Sequence, residues 1–335
     1  MTYEEFIEEW GNEKNHILAK TSGSTGIPKE ISLSKDFVKE SALRTITFFN
    51  LNERSRLHSC VSPDFIGGKM MAVRATLVNA ALTWEEPSNA PIKYLDNNEE
   101  IDLLAVVPSQ ILYILENISH LPKINNIIIG GSKIHPELKS KIAASGLNAY
   151  ETYGMTETAS HIALRKISTE DTLFETLPGI TVRKNKNDCL VIHFESGMEI
   201  TTNDICEIIS ERKFLIKGRK DNVIISGGKK INPTEIEDKI SSLISYPFLI
   251  ASLPDEKWGE KIILVIECDN TSLQPFSSDK FVGLLEKWEI PKEIYAVEKL
   301  PRTANNKLIR FKDSSFLLSS SHDNNLCGEE QSKQG

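Results

Sequence analysis

The sequence contains no long apolar run and no basic leader. Its longest apolar stretches, such as residues 262–266, are far too short to cross a bilayer. The first ten residues, MTYEEFIEEW, are acidic, whereas a secretory signal begins with basic residues. We therefore expect a cytoplasmic protein with no membrane span.

Paired cysteines and an excess of positive charge are also missing. The five cysteines are odd in number and lack C-x-x-C spacing, so they indicate neither a disulfide framework nor a zinc site, and free thiols are expected. The formal net charge of −8 argues against nucleic acid as the main partner. The cysteines are Cys60, Cys189, Cys206, Cys268 and Cys327.

The composition, 40% apolar and 26% charged over 335 residues, is that of a globular protein with room for one large domain and a small one, or for two domains of middling size. Strands, glycine turns and helices alternate over residues 57–153, which predicts a mostly parallel sheet. Short alternating runs over 190–209 predict a β-rich subdomain with antiparallel strands. A new β/α pattern starts after 218–221. The expected fold class is α/β, with a small α+β domain at the C-terminus.

Capping residues and apolar spacing locate the elements. Ser34 can cap a helix whose buried face includes Val38, Ala42 and Ile46. Asn232, followed by a proline and an acid, marks another helix start. Helices are expected at 1–10, after 34, at 70–81, after 108, at 136–144, after 232 and at 281–288, and strands at 57–61, 103–107, 127–129, 149–153 and 262–267.

The stretch KTSGSTGIPK, residues 20–29, combines glycines, hydroxyls and a lysine. Glycine lets backbone N–H groups approach a ligand, hydroxyls donate further hydrogen bonds, and lysine supplies positive charge, so we interpret the stretch as a phosphate-binding loop. A Walker loop is excluded because Ile27 and Pro28 follow Gly26. A polar turn between Leu18 and Ile31 is the alternative. The phosphate-binding candidates are Thr21, Ser22, Gly23, Ser24, Thr25, Gly26 and Lys29.

This decapeptide resembles the phosphate loop of the adenylate-forming (AMP-binding) superfamily of acyl- and aryl-CoA ligases, luciferases and adenylation domains. Residues 153–158, YGMTET, match the superfamily motif Y-G-x-T-E. The resemblance implies that Glu157 binds the Mg²⁺ carried by ATP and that Thr156 hydrogen-bonds the α-phosphate. A carboxylate is a suitable ligand for this hard cation. The nucleotide-binding residues it implies here are Tyr153, Gly154 and Met155, with Gly130, Gly131 and Ser132 against the adenine.

Later motifs follow in the order of the superfamily. Asp204 stands where T-G-D has its ribose-binding aspartate, although Asn203 replaces the glycine. The resemblance further implies that Arg219 binds the ribose or a phosphate and that Asp221 is a hinge. It also places Gly227 and Gly228 along a CoA tunnel.

The stretch PRTANNK, residues 301–307, resembles the signature P-R-T-x-x-G-K. By this resemblance Lys307 bridges the carboxylate and the α-phosphate and stabilises the charge that develops during attack. Asn306 replaces the usual glycine, as Glu30 does after the first lysine. The domains implied are an ATP- and acid-binding domain over 1–218, a hinge at 219–221 and a mobile lid over 222–316. A polar, serine-rich tail, 317–335, is expected to be disordered.

The candidate acid pocket begins at a strand end. Residues 154–162, GMTETASHI, are similar to G-M-T-E-T-x-S-x-I of o-succinylbenzoate-CoA ligases of menaquinone biosynthesis. The histidine of their P-x-x-H-x-x-G segment is missing, and we expect Phe65 to form a pocket wall instead. A diacid needs a cation away from the reacting carboxyl, because an unpaired buried charge is unfavourable. The pocket candidates are Phe65, Gly67, Gly68, His161 and, as that cation, Lys69 or Arg74.

The sequence thus predicts a two-step ligase that uses ATP, Mg²⁺ and CoA to activate a small aromatic or aliphatic carboxylic acid. O-succinylbenzoate is the favoured acid. The alternatives are another aryl- or acyl-CoA ligase, an adenylation domain that loads a carrier protein, and a truncated, non-catalytic adenylate-binding protein. Only twenty residues precede Thr21, the first phosphate-binding candidate, so we expect part of the usual large domain to be absent. A homodimer is the assembly considered.

Overall fold

The computed structural model describes residues 1–21, 29–93, 95–170, 172–268, 277–302, 308–311 and 317. Within these residues the chain forms helices α1 (Tyr3–Gly11), α2 (Lys35–Phe49), α3 (Ile66–Val78), α4 (Pro108–Asn117), α5 (Pro136–Ser145) and α6 (Pro233–Ile240). The strands are β1 (His16–Lys20), β2 (Glu30–Ser34), β3 (Arg56–Ser59), β4 (Ala81–Trp84), β5 (Glu100–Ile101), β6 (Leu103–Val106), β7 (Lys123–Ile124), β8 (Ile127–Ile129), β9 (Ala149–Met155), β10 (Ser160–Lys166), β11 (Phe174–Thr176), β12 (Ile180–Lys184), β13 (Cys189–Phe194), β14 (Glu199–Ser210), β15 (Lys213–Arg219), β16 (Ile224–Ser226), β17 (Lys229–Ile231), β18 (Phe248–Asp255), β19 (Gly259–Glu267) and β20 (Glu293–Val297).

The described residues divide into two compact units, one within Met1–Asp221 and Arg302–Ile309 and the other within Asn222–Pro301 and Arg310–Gly335. The first unit contains an 11-stranded sheet in the order β12-β13-β14-β15-β11-β10-β9-β8-β6-β3-β4. Neighbours from β9 to β4 are parallel, and those from β12 to β9 are antiparallel. This confirms the predicted α/β class. The predicted β-rich subdomain is not separate, because its strands β13 and β14 belong to this same sheet.

The central strands of the parallel half are buried on both faces. Every residue of β6 and β8 is buried, as expected for strands that helices cover on both sides. Leu103 and Ala105 pack into a core with residues of α1, α2 and α3, whereas Leu104 and Val106 pack with α4 and α5. Successive side chains of β6 therefore point to opposite faces of the sheet, and each face is covered by a different set of helices.

Helix boundaries follow local chemistry. The Ser34 hydroxyl accepts a hydrogen bond from Phe37 N at 3.2 Å and caps α2, as predicted. Gly146, with φ +77°, ends α5 in the left-handed conformation. Helix α3 begins four residues before the predicted start. A Cβ on Gly68 would lie 2.4 Å from Ser62 O, so glycine permits this early start.

The second unit contains a 5-stranded sheet in which β17, β16, β19 and β18 are antiparallel neighbours and β20 pairs with β19 in parallel. Gly227 and Gly228 connect β16 to β17 with φ +56° and +76°, the pattern of a type I′ hairpin turn. The predicted helix at 281–288 is wrong. A 3₁₀ turn at Ser278–Phe281 gives way to Gly283, whose φ of +87° is incompatible with continued helix.

No described helix combines the length and the apolar character needed to cross a bilayer. Of the predicted tail, the structure describes residue 317 alone.

Candidate functional site

The base of the predicted phosphate loop is closed by two hydrogen bonds. Strands β1 and β2 form an antiparallel hairpin, and Thr21 N donates to Lys29 O at 2.8 Å. Lys29 N in turn donates to Thr21 Oγ1 at 3.1 Å. A parallel bridge joins Lys20 to Phe65, so the start of the loop lies beside the start of α3. The candidates Ser22, Gly23, Ser24, Thr25 and Gly26 lie outside the described residues.

The second motif forms a tight turn next to this hairpin. A 3₁₀ turn at Thr156–Thr158 follows β9 and contacts β2, the strand that follows the predicted phosphate loop. Thr158 Oγ1 accepts from Met155 N at 2.9 Å and lies 2.6 Å from Ser160 O, to which it can donate. Thr156 is buried and Glu157 is exposed. An exposed carboxylate at this turn is a donor group suited to a hydrated Mg²⁺.

Glycines allow the backbone to pack closely at the carboxyl ends of β8 and β9. A Cβ on Gly130 would lie 2.8 Å from Thr152 Oγ1, and one on Gly154 would lie 2.3 Å from Ser160 O. Gly131 has φ +89°, and Ser132 follows it in the same turn. Because β8 and β9 are parallel neighbours, their two turns lie at one edge of the sheet, where α/β folds bind ligands.

The Asp204 carboxylate connects three motifs. Tyr153 donates from its hydroxyl to Asp204 Oδ2 at 2.6 Å, and Arg219 donates from Nη1 to Oδ1 at 3.2 Å. Arg219 also donates to Asp221 from Nε at 2.9 Å and from Nη2 at 2.7 Å. Burial, and then the Asp204 charge, raise the pKa of Tyr153, so its hydroxyl remains a donor. The hydrogen bond to Asp221, followed by Asp204, raises the pKa of Arg219.

Arg74 is a buried cation with neutral neighbours. Its side chain is 1% exposed, and it donates from Nη2 to Ser160 Oγ at 3.3 Å and from Nη1 to Met71 Sδ at 3.7 Å. Its Nε has no hydrogen-bond partner among the described residues, and none of their carboxylates forms an ion pair with it. Burial lowers the pKa of Arg74 to about 9, so it is charged near neutral pH. A buried charge without a counterion is unfavourable, and an anion would relieve that penalty.

Lys69, the other candidate cation, has partners. It is 2% exposed, and its ammonium lies 3.7 Å from Glu9 Oε2 and 4.3 Å from the centre of the Phe6 ring. The ammonium also contacts Met1 Sδ at 2.8 Å. Lys69 therefore has a carboxylate from α1 beside it, which Arg74 lacks.

His161 belongs to the network around Arg74. Its Nε2 lies 2.9 Å from Thr45 Oγ1 and its Nδ1 lies 3.4 Å from Ser160 Oγ. Burial, and then the charge of Arg74, hold the pKa of His161 well below its usual range, so the imidazole is neutral. Thr45 and Ser160 were not predicted from the sequence as site residues. Thr45 gave a signal, since it is a polar residue on the apolar face of α2.

The remaining candidates are separate from these clusters or undescribed. Gly227 and Gly228 lie in the second unit, where Gly227 N donates to Trp258 O at 2.8 Å. Asp221 ends the first continuous segment of the first unit. Lys307 lies outside the described residues.

The chain matches the model of the AMP-binding enzyme family over residues 10–211. It is 27% identical to a 2-succinylbenzoate–CoA ligase of Listeria monocytogenes serovar 1/2a, over 92% of this chain and 71% of the relative. The corresponding ligase of Bacillus subtilis strain 168 is 24% identical, over 88% of this chain and 67% of the relative.

Solved structures share the fold. An acyl-CoA synthetase (AMP-forming)/AMP-acid ligase II-like protein from Dyadobacter fermentans is 32% identical, with a TM-score of 0.59 over 91% of this chain and 90% of that one. The o-succinylbenzoate CoA synthetase of Bacillus subtilis, in complex with its acyl-adenylate intermediate, is 20% identical, with a TM-score of 0.76 over 92% of this chain and 70% of that one. A complex of the same synthetase with ATP and magnesium ion has a TM-score of 0.74 at 20% identity.

Proposed function

The chain belongs to the AMP-binding enzyme family, and on that basis we propose that it converts o-succinylbenzoate to its CoA thioester with ATP. A carboxylate oxygen of the acid attacks the α-phosphorus, the bond to pyrophosphate breaks, and acyl-AMP forms. The CoA thiol then attacks the acyl carbon, and AMP leaves. We place the reaction in the cytoplasm, at the point of menaquinone biosynthesis where this thioester is made.

The first unit supplies most of the proposed nucleotide site. Glu157 would hold Mg²⁺, which neutralises phosphate charge when bound. Thr156 is assigned to the α-phosphate and Asp204 to the ribose hydroxyls. The hydrogen bonds from Tyr153 and Arg219 support the latter role, because they fix the orientation of the carboxylate.

Three further roles complete the proposal. Lys307 stabilises the charge that develops in the first step, Asp221 acts as the hinge, and Gly227 with Gly228 lines the path of CoA. The hinge is supported by the division of the chain into compact units between Asp221 and Asn222.

The observation that carries the choice of a diacid is the buried, unneutralised guanidinium of Arg74. We assign the carboxylate remote from the reacting carboxyl to Arg74, because Lys69 already has Glu9 beside it. The neutral His161 adds no second charge to this cluster. A monoacid would leave the buried cation without a counterion, so the arrangement favours dicarboxylates.

The test is a pyrophosphate-release assay with a panel of carboxylic acids, followed by an assay of CoA consumption. We expect o-succinylbenzoate to give the highest kcat/KM, with stoichiometric loss of free thiol. Pyrophosphate release without CoA consumption would instead indicate carrier loading. No release with any acid would contradict a ligase.

Arg74→Met tests the assignment of the cation, with Lys69→Met as its matched control. A hydrogen bond between charged groups contributes about 1.5–3 kcal/mol, so Arg74→Met should raise the KM for the diacid about tenfold to a hundredfold and leave the KM for ATP nearly unchanged. Lys69→Met should alter the KM for the diacid much less. An unchanged KM for the diacid in Arg74→Met would show that Arg74 does not bind the acid.

A further inference from the structure

Three buried side chains with metal-binding atoms meet beside strands β3 and β4. His58 lies on β3, Cys60 directly follows β3, and Glu85 directly follows β4. All three belong to the first unit, and the proposed ligase reaction uses none of them. The parallel pairing of β3 with β4 brings them together, and Glu85 N donates to Ser59 O at 3.2 Å.

Two of the three distances between donor atoms in this cluster match those of a tetrahedral metal site. Cys60 Sγ lies 3.3 Å and His58 Nε2 lies 3.8 Å from the same oxygen, Glu85 Oε1. The three donor atoms all lie within 4.8 Å of one another. In a tetrahedral site with zinc–ligand bonds of about 2.0–2.3 Å, neighbouring ligand atoms are about 3.3–3.8 Å apart. The distances from Cys60 Sγ and from His58 Nε2 to Glu85 Oε1 already lie in this range.

His58 supplies an independent sign of a missing ligand. The side chain is 3% exposed, yet its Nε2 has no hydrogen-bond partner among the described residues. Its other nitrogen, Nδ1, lies 2.8 Å from Thr83 Oγ1. When Nδ1 donates to that hydroxyl, Nε2 presents a lone pair to Cys60 and Glu85, which is the arrangement of a metal-bound histidine with its supporting hydrogen bond.

Glu85 is held in place by backbone groups. Its Oε1 accepts a hydrogen bond from Ile92 N, and its Oε2 accepts one from Lys93 N at 3.2 Å. The carboxylate is therefore oriented before any ion binds, and a metal there would tie the segment after β4 to the end of β3.

We propose that His58, Cys60 and Glu85 form a zinc-binding site that is distinct from the Mg²⁺ site proposed for the nucleotide. Imidazole, thiolate and carboxylate together suit Zn²⁺, whereas Mg²⁺ prefers oxygen ligands alone. The three donors leave one tetrahedral position for a water molecule. Cysteine spacing gave no sign of this site, because the ligands come from two strands and include a single cysteine.

The experiment uses the full chain with any affinity tag removed, in the absence of ATP, acid and CoA. The protein is treated with a chelator, dialysed, and titrated with ZnSO₄, and bound metal is measured by mass spectrometry after gel filtration. We expect about one zinc per chain, with a rise in melting temperature that increases with free Zn²⁺. Cys60→Ser and His58→Gln should lose both effects, whereas Cys189→Ser, which removes another buried thiol of the first unit, should keep them.

Co²⁺ replacement of zinc keeps the proposal testable if the variants fold poorly. Wild-type and Cys189→Ser protein should show the visible bands of tetrahedral cobalt together with a thiolate charge-transfer band, and Zn²⁺ should protect Cys60 from alkylation. Absence of bound zinc, a cobalt spectrum without the thiolate band, or equal binding by folded Cys60→Ser would overturn the proposal. None of these outcomes bears on the ligase reaction.

Discussion

Asp204 shows how one residue joins motifs that lie far apart in the sequence. Its two carboxylate oxygens accept from Tyr153 and Arg219, and the residue is 8% exposed. The geometry therefore leaves the carboxylate with a fixed orientation and with lone pairs for further donors.

Asp204→Asn tests the proposed ribose contact. The amide has one acceptor oxygen in place of two and no charge, so hydrogen bonds worth about 1.5–3 kcal/mol weaken and the KM for ATP should rise about tenfold to a hundredfold. Steady-state kinetics at saturating acid would measure the change. Asp188→Asn is the control, because Asp188 forms an exposed ion pair with Lys184 and should leave the KM for ATP unchanged. Equal effects of the two variants would refute the contact.

His161 makes stability depend on pH. Arg74, Ser160 and Thr45 are the groups that face it, and its folded-state pKa lies well below the unfolded value near 6.5. At a pH between these two pKa values, the imidazole is therefore protonated in the unfolded chain and neutral in the folded chain. This contribution to stability is complete above the unfolded pKa and is lost as the pH falls below it, by up to about 1.4 kcal/mol per pH unit.

His161→Gln removes this titration and keeps a polar group near Thr45. Urea unfolding at about pH 7.5 and about pH 5.5 should show a larger loss of stability for wild type than for the variant. A parallel pH dependence in both proteins would show that His161 is protonated in the folded state.

Residues of the site differed in how far the sequence could predict them. Tyr153, Asp204 and Arg219 were identified by motif, and the structure brings them together. The choice between Lys69 and Arg74 could not be made from the sequence, because it depends on Glu9, which is distant in the chain and lies on another helix. His58 gave no sequence signal, because its neighbour Glu85 follows a different strand, β4.

Among the elements, helices with a clear cap were predicted well. Ser34 and Asn232 cap α2 and α6 as expected, since both accept hydrogen bonds from backbone N–H groups of the first turn. Apolar spacing alone failed at 281–288, where Gly283 adopts a positive φ. The joining of the β-rich strands to the main sheet depends on the pairing of β9 with β10, which local patterns do not specify.

Helix α3 offers a matched pair of glycine substitutions. In Gly68→Ala the new Cβ would meet the backbone oxygen Ser62 O at 2.4 Å, so we expect a loss of about 1–3 kcal/mol in the free energy of unfolding. In Gly67→Ala the nearest atom, Val61 Cγ1, lies at an ordinary 3.7 Å, and alanine should stabilise the helix by about 0.5–1 kcal/mol. Urea midpoints should move in opposite directions. An unchanged or higher midpoint for Gly68→Ala would contradict the close approach.

At the scale of the whole molecule, the residues proposed to bind the nucleotide and those proposed to bind CoA lie in different compact units. The residues proposed to contact the nucleotide lie in the first unit, whereas the glycines assigned to CoA lie in the second. Since the two chemical steps need different groups, a variant that impairs one step selectively would show that the assignment of roles is correct.

Lys307→Gln is that variant. The lysine is proposed to stabilise charge at the α-phosphate during the first step, and loss of one such donor reduces a rate about 10²- to 10³-fold. Pyrophosphate release from ATP and acid should fall by that factor, whereas thioester formation from supplied acyl-AMP and CoA should remain near the wild-type rate. Lys299→Gln, a lysine near the same motif in sequence, should leave both steps unchanged. An equal loss in both steps would indicate that Lys307 supports the fold or the shared adenylate site, and the assignment to the first step would then be wrong.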